Sequence, residues 1–404
     1  MKLRKYRAGK LFNKFLKLTL GGYMKLLFGY KIENGKLAGL KPPYIVLANH
    51  TNFWDPFLLS MCFPDPVYFI TSDAYFRSPV LKQLLKLVGA IPKTKNVADP
   101  QSIRGILEVV KSDGIVGIFP EGRRNWDGRT LPLLYATAKL IKALKIPVVS
   151  VVFQGACLSM PRWAASTRKG GLTMTLSRVL ESQDIAGLTA DEIYRAISES
   201  LAHDETDYQR SRMIPYKGRR PAEKLELFLF TCPECGAIGG LKSNGSHLRC
   251  GNCSYDAVYN SYGFLETDGA KLHFDNARDW NLWQLEQLEA LAAARISSER
   301  GEPLLADREI VLRTGQKTGT LKTEEEGGIL TLYPGRIEYS LAGNVLHRFH
   351  LHDIIGENIQ FNNQLEIIED GILYRFSRKN GDFSAYKWVM AIGFLKKHQG
   401  GKRT

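Results

Sequence analysis

Residues 49–57 read Asn-His-Thr-Asn-Phe-Trp-Asp-Pro-Phe, directly after the apolar run YIVLA at residues 44–48. The apolar run predicts a strand buried on both faces, and Pro56 predicts the first turn of a helix. A turn between the two can fold the Asp55 carboxylate back onto the His50 imidazole, which would fix its tautomer and stabilise its protonated form. The stretch therefore predicts a strand-turn-helix unit with a histidine general base for a substrate hydroxyl. The alternative is that Asp55 only caps the helix, while His50 is an ordinary hydrogen-bonded turn residue.

The sequence around this stretch alternates short apolar runs with helical segments as far as residue 205. The runs that predict buried strands are YIVLA at 44–48, VYFIT at 67–71, GIVGIF at 114–119 and IPVVSVVF at 146–153. Ser78 and Asp99 each precede a proline and predict helix starts. Thr189 and Glu192 form a predicted capping box for a later helix. The alternation predicts an α/β domain over residues 31–205.

Two further segments carry candidate binding residues. The first is GIFPEGRRNWDG at residues 117–128, where a buried strand turns through Glu121, Gly122 and Arg124. Arginine can hold a phosphate bidentately, and glycine lets the backbone approach a ligand closely. The second is GAIPKTK at residues 89–95, with Lys95 after an apolar helix. The alternative for both segments is a basic surface loop.

These segments together resemble the glycerolipid acyltransferase family, which includes acylglycerolphosphate acyltransferases. The resemblance extends over about residues 25–205 and rests on four ordered blocks. In this chain the H-x4-D block is His50 to Asp55 and the G-x-I block is GAIPKTK. The F-P-E-G block is Phe119 to Gly122, and the V/I-P-V block is Ile146 to Val148. The resemblance implies that an acyl group moves from acyl-CoA or acyl carrier protein to a lysophospholipid hydroxyl, without a covalent acyl-enzyme.

The resemblance also implies roles for single residues. His50 would be the general base and Asp55 its partner, while Glu121 and Arg124 would bind the polar head of the acceptor. The family commonly has an arginine where Lys95 stands, so phosphate binding there would rest on a point charge. It commonly has Thr-Arg-Ser after the F-P-E-G block, where this chain has residues 123–125 as Arg-Arg-Asn.

The N-terminal residues 1–30 form a basic arm, because no acidic residue occurs before Glu33. Leucines and aromatic residues alternate with the lysines, which is typical of a helix that lies in a membrane interface. No run reaches the ~20 apolar residues that span a bilayer. We therefore expect docking to an anionic membrane surface, peripherally on the cytoplasmic face, and the net charge of +14 agrees with an anionic partner. The alternative is a solvated basic helix packed on its own domain.

Four of the six cysteines form two C-x2-C pairs, in CPECG and CGNCS. The pairs are Cys232 with Cys235 and Cys250 with Cys253, a spacing that predicts a structural zinc ion held by four thiolates. Iron in a rubredoxin-like site and unligated cysteines are the alternatives. The module looks like a zinc ribbon over residues 228–262, after a basic linker at 206–227. Zinc ribbons often bind nucleic acid or proteins, but this one has few aromatic residues to stack bases, so a nucleic-acid partner is not favoured.

The rest of the chain predicts a helical connector over residues 263–300 and a β-rich domain over 301–404. Its strands followed by one amphipathic helix, AYKWVMAIGFLKKH, look similar to a PH or GRAM-like domain. The fold class is therefore multidomain: an α/β acyltransferase domain, a small β zinc ribbon and a β-rich terminal domain. Two functions remain open, namely acyl transfer in phospholipid synthesis and a binding adaptor for lipid, protein or nucleic acid with an inactive acyltransferase fold.

Overall fold

The structure is a computed structural model that describes residues 10–34, 37, 39–72, 75–76, 79–93, 100–269, 271–298, 301–316 and 319–400. The chain divides into two compact units. The first comprises Met1–Pro221 with Ser261–Gly263, and the second comprises Ala222–Asn260 with Phe264–Thr404. The predicted helix starts at Ser78 and Asp99, the basic residues before Lys10 and the candidate residue Lys95 lie outside the described residues.

The first unit contains a seven-stranded sheet in the order β1-β7-β6-β2-β5-β3-β4. All of its neighbouring strands run parallel except β6 and β7. The strands are β1 Lys31–Asn34, β2 Tyr44–Ala48, β3 Val67–Ser72, β4 Ile91–Lys93, β5 Ile115–Ile118, β6 Val148–Gln154 and β7 Thr173–Leu180. The helices are α1 Lys10–Phe28, α2 Asp55–Met61, α3 Pro79–Leu87, α4 Pro100–Lys111, α5 Tyr135–Leu144, α6 Ala156–Ser159, α7 Ser182–Gly187, α8 Ala190–Leu201 and α9 Glu205–Arg212. The predicted α/β pattern and its four strands are confirmed, but in β3 only Val67 is buried and the other residues are partly exposed.

The central strand β2 explains why these apolar runs form a sheet covered on both faces. All five of its residues are buried, and side chains alternate between the two faces of a strand. Val46 and Ala48 pack in one hydrophobic cluster with residues of α1 and α2. Ile45 and Leu47 pack in another cluster with residues of α4, α5 and α8. A strand with apolar residues at every position is stable only between two layers of helices, so this run determines the layered fold.

Neighbouring parallel strands bring two loops to the same edge of the sheet. β2 and β5 are hydrogen-bonded neighbours, with Leu47 opposite Ile118. The chain leaves both strands in the same direction, so the loop with His50 and the loop with Glu121 begin side by side. Ligands of open α/β sheets bind at this edge, outside the carboxyl ends of the strands.

Helix α1 packs one side on the first unit and exposes the other. Met24 and Phe28 are fully buried in the cluster that contains Val46. On the opposite side, Leu18 and Leu26 are 80% and 72% exposed. Among the described residues, no helix combines the length and apolar character needed to cross a membrane.

The segment 206–227, predicted as a linker, is partly regular. Asp204 caps α9, because its carboxylate accepts hydrogen bonds from the backbone of Thr206 and Asp207, and Leu225–Leu227 forms a short 3₁₀ helix. Helix α9 was not predicted from the sequence, because its residues are almost all polar and give no apolar periodicity. The predicted capping box of Thr189 and Glu192 is confirmed at the start of α8.

Within its described residues, the second unit contains two sheets, two α-helices and the 3₁₀ helix Leu225–Leu227. The four-stranded sheet has the order β11-β10-β9-β8 and the seven-stranded sheet the order β15-β14-β13-β12-β18-β17-β16. The strands are β8 Leu241–Asn244, β9 His247–Cys250, β10 Asp256–Tyr259, β11 Leu265–Glu266, β12 Leu305–Gln316, β13 Lys322–Tyr333, β14 Arg336–Leu341, β15 Asn344–His350, β16 Gly356–Gln360, β17 Gln364–Glu369 and β18 Ile372–Ser377. The helices are α10 Ala277–Ser297 and α11 Ala385–His398. The β-rich C-terminal region is confirmed, and its PH or GRAM-like identity stays a prediction.

Helix α10 forms buried hydrogen bonds with the segment that precedes Cys232. The Gln284 side chain is fully buried, accepts hydrogen bonds from the backbone of Phe230 and Thr231, and donates one to Phe228. Trp280 donates its indole N–H to the carbonyl of Thr231, at 2.9 Å. The segment just before Cys232 therefore shares its buried hydrogen bonds with α10.

Candidate active site

Asp55 connects the turn after β2 to the start of α2. One oxygen, Oδ2, accepts hydrogen bonds from the backbone N–H groups of Thr51 at 2.6 Å and Asn52 at 2.9 Å. The same oxygen lies 2.8 Å from Nδ1 of His50, and the Asp55 side chain is fully buried. The helix begins at Asp55 itself, with Trp54 as its N-cap residue. Asp55 is therefore the first residue of the helix and not its N-cap, and its carboxylate reaches backwards to His50.

The His50 ring is held on two sides and is 20% exposed. It stacks on Phe119, with ring centroids 4.2 Å apart. A carboxylate can only accept, so Nδ1 carries the proton toward Asp55 and Nε2 has the free lone pair. Burial lowers the pKa of His50, Asp55 opposes this effect, and the charges of Arg124 and Arg162 add to it. The imidazole is therefore neutral at neutral pH and able to take a proton.

Glu121 holds the backbone around His50. Its Oε1 accepts a hydrogen bond from the backbone N–H of His50 at 2.5 Å, and its Oε2 accepts from that of Leu131 at 2.8 Å. The Asn125 side chain also donates to Oε2, at 3.3 Å. Burial raises the pKa of Glu121 to about 8, although these hydrogen bonds limit the rise. Both carboxylate oxygens thus bind protein donors, which is the arrangement of a positioning group.

The turn after β5 depends on Gly122. Its φ of +69° lies in the left-handed region, and a Cβ there would lie 2.9 Å from Cδ1 of Leu134. The following residues pack against the His50 loop, because the backbone N–H of Asn125 donates to the His50 carbonyl at 2.8 Å. Arg124 is half-buried within this turn, and its charge acts on His50. The structure therefore brings His50, Asp55, Glu121 and Arg124 together, as the sequence predicted.

Arg162 was not predicted from the sequence. This residue follows α6, is 7% exposed, and donates from Nη1 to the carbonyl of Arg124 at 2.8 Å. Its guanidinium lies over the ring of Trp126, 4.6 Å from the centroid. No local pattern marks Arg162 as a site residue, because it is 38 residues from Arg124 in sequence.

The four cysteines Cys232, Cys235, Cys250 and Cys253 form a second candidate site, in the other unit. Their sulfur atoms all lie within 4.8 Å of one another. The pairs Cys232–Cys253 and Cys235–Cys250 have Sγ–Sγ distances of 3.7 Å. Tetrahedral coordination with metal–sulfur bonds of 2.3 Å separates the sulfurs by about 3.8 Å. The geometry fits one metal ion bound by four thiolates, as the spacing predicted.

A family model described as Acyltransferase matches residues 30–154. A 1-acyl-sn-glycerol-3-phosphate acyltransferase from Bacillus subtilis is 24% identical over 189 residues, which are 46% of this chain and 92% of that protein. The chloroplastic 1-acyl-sn-glycerol-3-phosphate acyltransferase BAT2 from Brassica napus is 26% identical over 39% of this chain and 46% of its own length. A crystal structure of the 1-acyl-sn-glycerophosphate acyltransferase PlsC from Thermotoga maritima aligns with a TM-score of 0.41 at 16% identity, over 50% of this chain and 79% of that one. Residues 30–154 therefore match the Acyltransferase family model, and the N-terminal half of the chain is similar to 1-acyl-sn-glycerol-3-phosphate acyltransferases.

Proposed function

We propose that this protein transfers a fatty acyl group from an acyl thioester to a hydroxyl of a lysophospholipid such as 1-acylglycerol-3-phosphate. The observation that carries the proposal is the 2.8 Å contact between Nδ1 of His50 and Oδ2 of the buried Asp55. In this proposal Nδ1 of His50 donates to Asp55, and Nε2 is the atom that meets the substrate hydroxyl. The names of the relatives identify 1-acylglycerol-3-phosphate as the acceptor of those proteins.

His50 acts as the general base. Nε2 takes the proton of the acceptor hydroxyl while its oxygen attacks the thioester carbonyl carbon. Asp55 stabilises the imidazolium that forms, because its carboxylate is already hydrogen-bonded to Nδ1. The tetrahedral intermediate collapses with loss of the thiolate, which receives the proton from Nε2. The products are the acylated phospholipid and the free thiol, and His50 returns to its neutral form.

Arg124 is the residue that we assign to the phosphate of the acceptor. A guanidinium binds phosphate through two parallel hydrogen bonds, and the positive φ of Gly122 lets the turn approach the headgroup. Lys95, outside the described residues, keeps its predicted role as a second cation. Glu121 is assigned to positioning of His50, since its oxygens accept from His50, Leu131 and Asn125.

Docking of α1 to an anionic membrane surface is part of the proposal. The exposed side of the helix presents Phe15, Leu18 and Leu26 at 61%, 80% and 72% exposure. Lys14 and Lys25 are exposed on the same helix. Apolar side chains bordered by lysines favour the interface of a bilayer with anionic lipids. We accordingly propose peripheral attachment at the cytoplasmic face of the membrane.

The second unit has a structural role in this proposal. A zinc ion at the four cysteines would have all its positions filled by protein sulfur, so it would hold the fold and take no part in acyl transfer. The seven-stranded sheet with α11 is proposed as a PH or GRAM-like domain. A non-catalytic adaptor is disfavoured, because such a protein has no need for a buried carboxylate oriented onto His50.

The test is a transfer assay with the purified full-length protein and 1-acylglycerol-3-phosphate in mixed vesicles. Acyl-CoA and acyl carrier protein thioesters are compared as donors, and 1-acylglycerol, which has no phosphate, as acceptor. We expect the diacyl phosphate product with at least one donor and a strong preference for the phosphorylated acceptor. Absence of the product with both donors would refute the proposed function.

A further inference from the structure

Arg162 contacts the turn that carries Arg124 at two separate points. Its Nη1 donates to the Arg124 carbonyl at 2.8 Å. Its planar group covers the Trp126 ring at 4.6 Å from the centroid. Such a guanidinium can stack and donate at once, whereas a lysine ammonium offers only a point charge. With 7% exposure, Arg162 is confined to this arrangement.

The surroundings of His50 contain charges of both signs. Asp55 binds the ring and supplies negative charge, and the guanidinium groups of Arg124 and Arg162 add positive charge. The charges of the two guanidinium groups lower the pKa of His50, because they oppose protonation of the ring. A bound phosphate group would compensate these charges and make His50 a stronger base at the moment when the acceptor is in place.

We propose that Arg162 is a positioning residue that holds the Arg124 turn, and with it the Arg124 guanidinium, in place for the phosphate of the acceptor. This inference rests on the proposed function and deepens it. It gives Arg162, which lies outside every motif of the sequence, a role in binding the acceptor. Arg162 reaches the site because the chain after β6 and α6 returns to the turn after β5.

The first test compares Arg162→Gln and Arg162→Lys in steady-state kinetics. Gln removes both the charge and the stacking, so we expect the KM for 1-acylglycerol-3-phosphate to rise about tenfold, the value of a lost hydrogen bond to a charged group. The KM for 1-acylglycerol should not change. Lys keeps the charge without the planar fork, so it should raise the KM for the phosphorylated acceptor by a smaller factor.

The second test follows the His50 resonance by NMR during pH titration, with the signal assigned by its loss in His50→Gln. Removal of the positive charge in Arg162→Gln should raise the pKa of His50, whereas Arg162→Lys should leave it low. Arg168→Gln is the matched control, because Arg168 is 2% exposed and its guanidinium lies 4.9 Å from the Trp163 ring centroid. This control should change neither the His50 titration nor the acceptor KM.

Unchanged His50 titration and unchanged acceptor KM in folded Arg162→Gln would overturn the inference, as would identical effects in Arg168→Gln. If Arg162→Gln does not fold, Arg162→Lys decides, since an unchanged acceptor KM would again contradict the positioning role. If the wild-type protein shows no acyl transfer, the proposed function fails. In that case the titration still decides whether Arg162 acts on His50.

Discussion

The His50 site and the four-cysteine cluster begin as short spacings in the sequence but are completed in different ways. At the cluster, the sulfur atoms of Cys232, Cys235, Cys250 and Cys253 lie within 4.8 Å of one another, and together they could fill all four positions around a tetrahedral metal ion. At the other site, Asp55 binds only Nδ1 of His50 and leaves Nε2 for a substrate. A metal ion whose positions are all filled by protein ligands can only stabilise the fold, whereas an imidazole nitrogen with a free lone pair can accept a proton from a substrate. The comparison predicts that the cysteines affect folding and that the His50 site affects turnover.

The largest effect is expected from the cluster. Replacement of Cys232 and Cys235 by serine should abolish metal binding, and a structural zinc contributes about 10 kcal/mol or more to the folding of small zinc modules. Because Gln284 and Trp280 bind the adjoining segment, we expect the second unit to unfold at lower temperature as well. Elemental analysis should find one zinc per wild-type chain, and calorimetry measures the stability.

Cys62→Ser is the matched control, since Cys62 lies in the first unit and should leave the metal content unchanged. If iron is detected in place of zinc, the identity of the metal is revised, but the four cysteines remain its complete set of ligands. A serine double variant with full metal content and unaltered unfolding would contradict the structural role.

The next effect concerns turnover. His50→Ala should reduce kcat by about 10²-fold or more, because general-base catalysis contributes that much. Asp55→Asn should be impaired to a similar degree, since it would lose the carboxylate that stabilises the imidazolium. Circular dichroism should show intact folding in both variants. His352→Ala, at a side chain 78% exposed, is the control and should react at the wild-type rate.

Glu121→Gln should have a smaller effect that separates positioning from acceptor binding. The amide nitrogen would then face an N–H donor, either that of His50 or those of Leu131 and Asn125, so at least one hydrogen bond is lost. We expect kcat to fall about tenfold, the cost of an unpaired buried donor. Arg124→Gln should instead raise the acceptor KM. A Glu121→Gln variant with wild-type kcat and a raised acceptor KM would restore the role that the family resemblance implied.

The smallest effect is expected at α1. The double variant Leu18→Gln and Leu26→Gln should weaken binding to anionic vesicles about fivefold, because two exposed leucines no longer enter the interface. Co-sedimentation with vesicles at low and high salt measures this binding. Leu346→Gln, at a leucine 44% exposed in the second unit, is the matched control. Equal binding by the α1 variant and the wild type would place membrane docking elsewhere.

Strand prediction succeeded where apolar residues were continuous and failed where they were not. β2, β5 and β6 were evident because nearly every residue in them is buried. β7 was missed, because its sequence TMTLSRVL mixes polar and apolar residues. This strand lies near one edge of the sheet, next to the edge strand β1. α9 was missed for the related reason that its stability comes from the Asp204 cap and from burial of Gln209.

The sequence by itself determined the two local clusters of the protein. His50 and Asp55 are five positions apart, and the two cysteines of each C-x2-C pair are three positions apart. A single turn therefore brings the two residues of each pair together. Only the tertiary structure decided what surrounds them. Glu121 is 71 residues from His50 and Arg162 is 38 residues from Arg124, and these contacts exist because β2 and β5 are neighbours and the chain returns after α6. Contacts between distant residues depend on which strands pair, and pairing is determined by burial of the whole sheet, which no short motif contains.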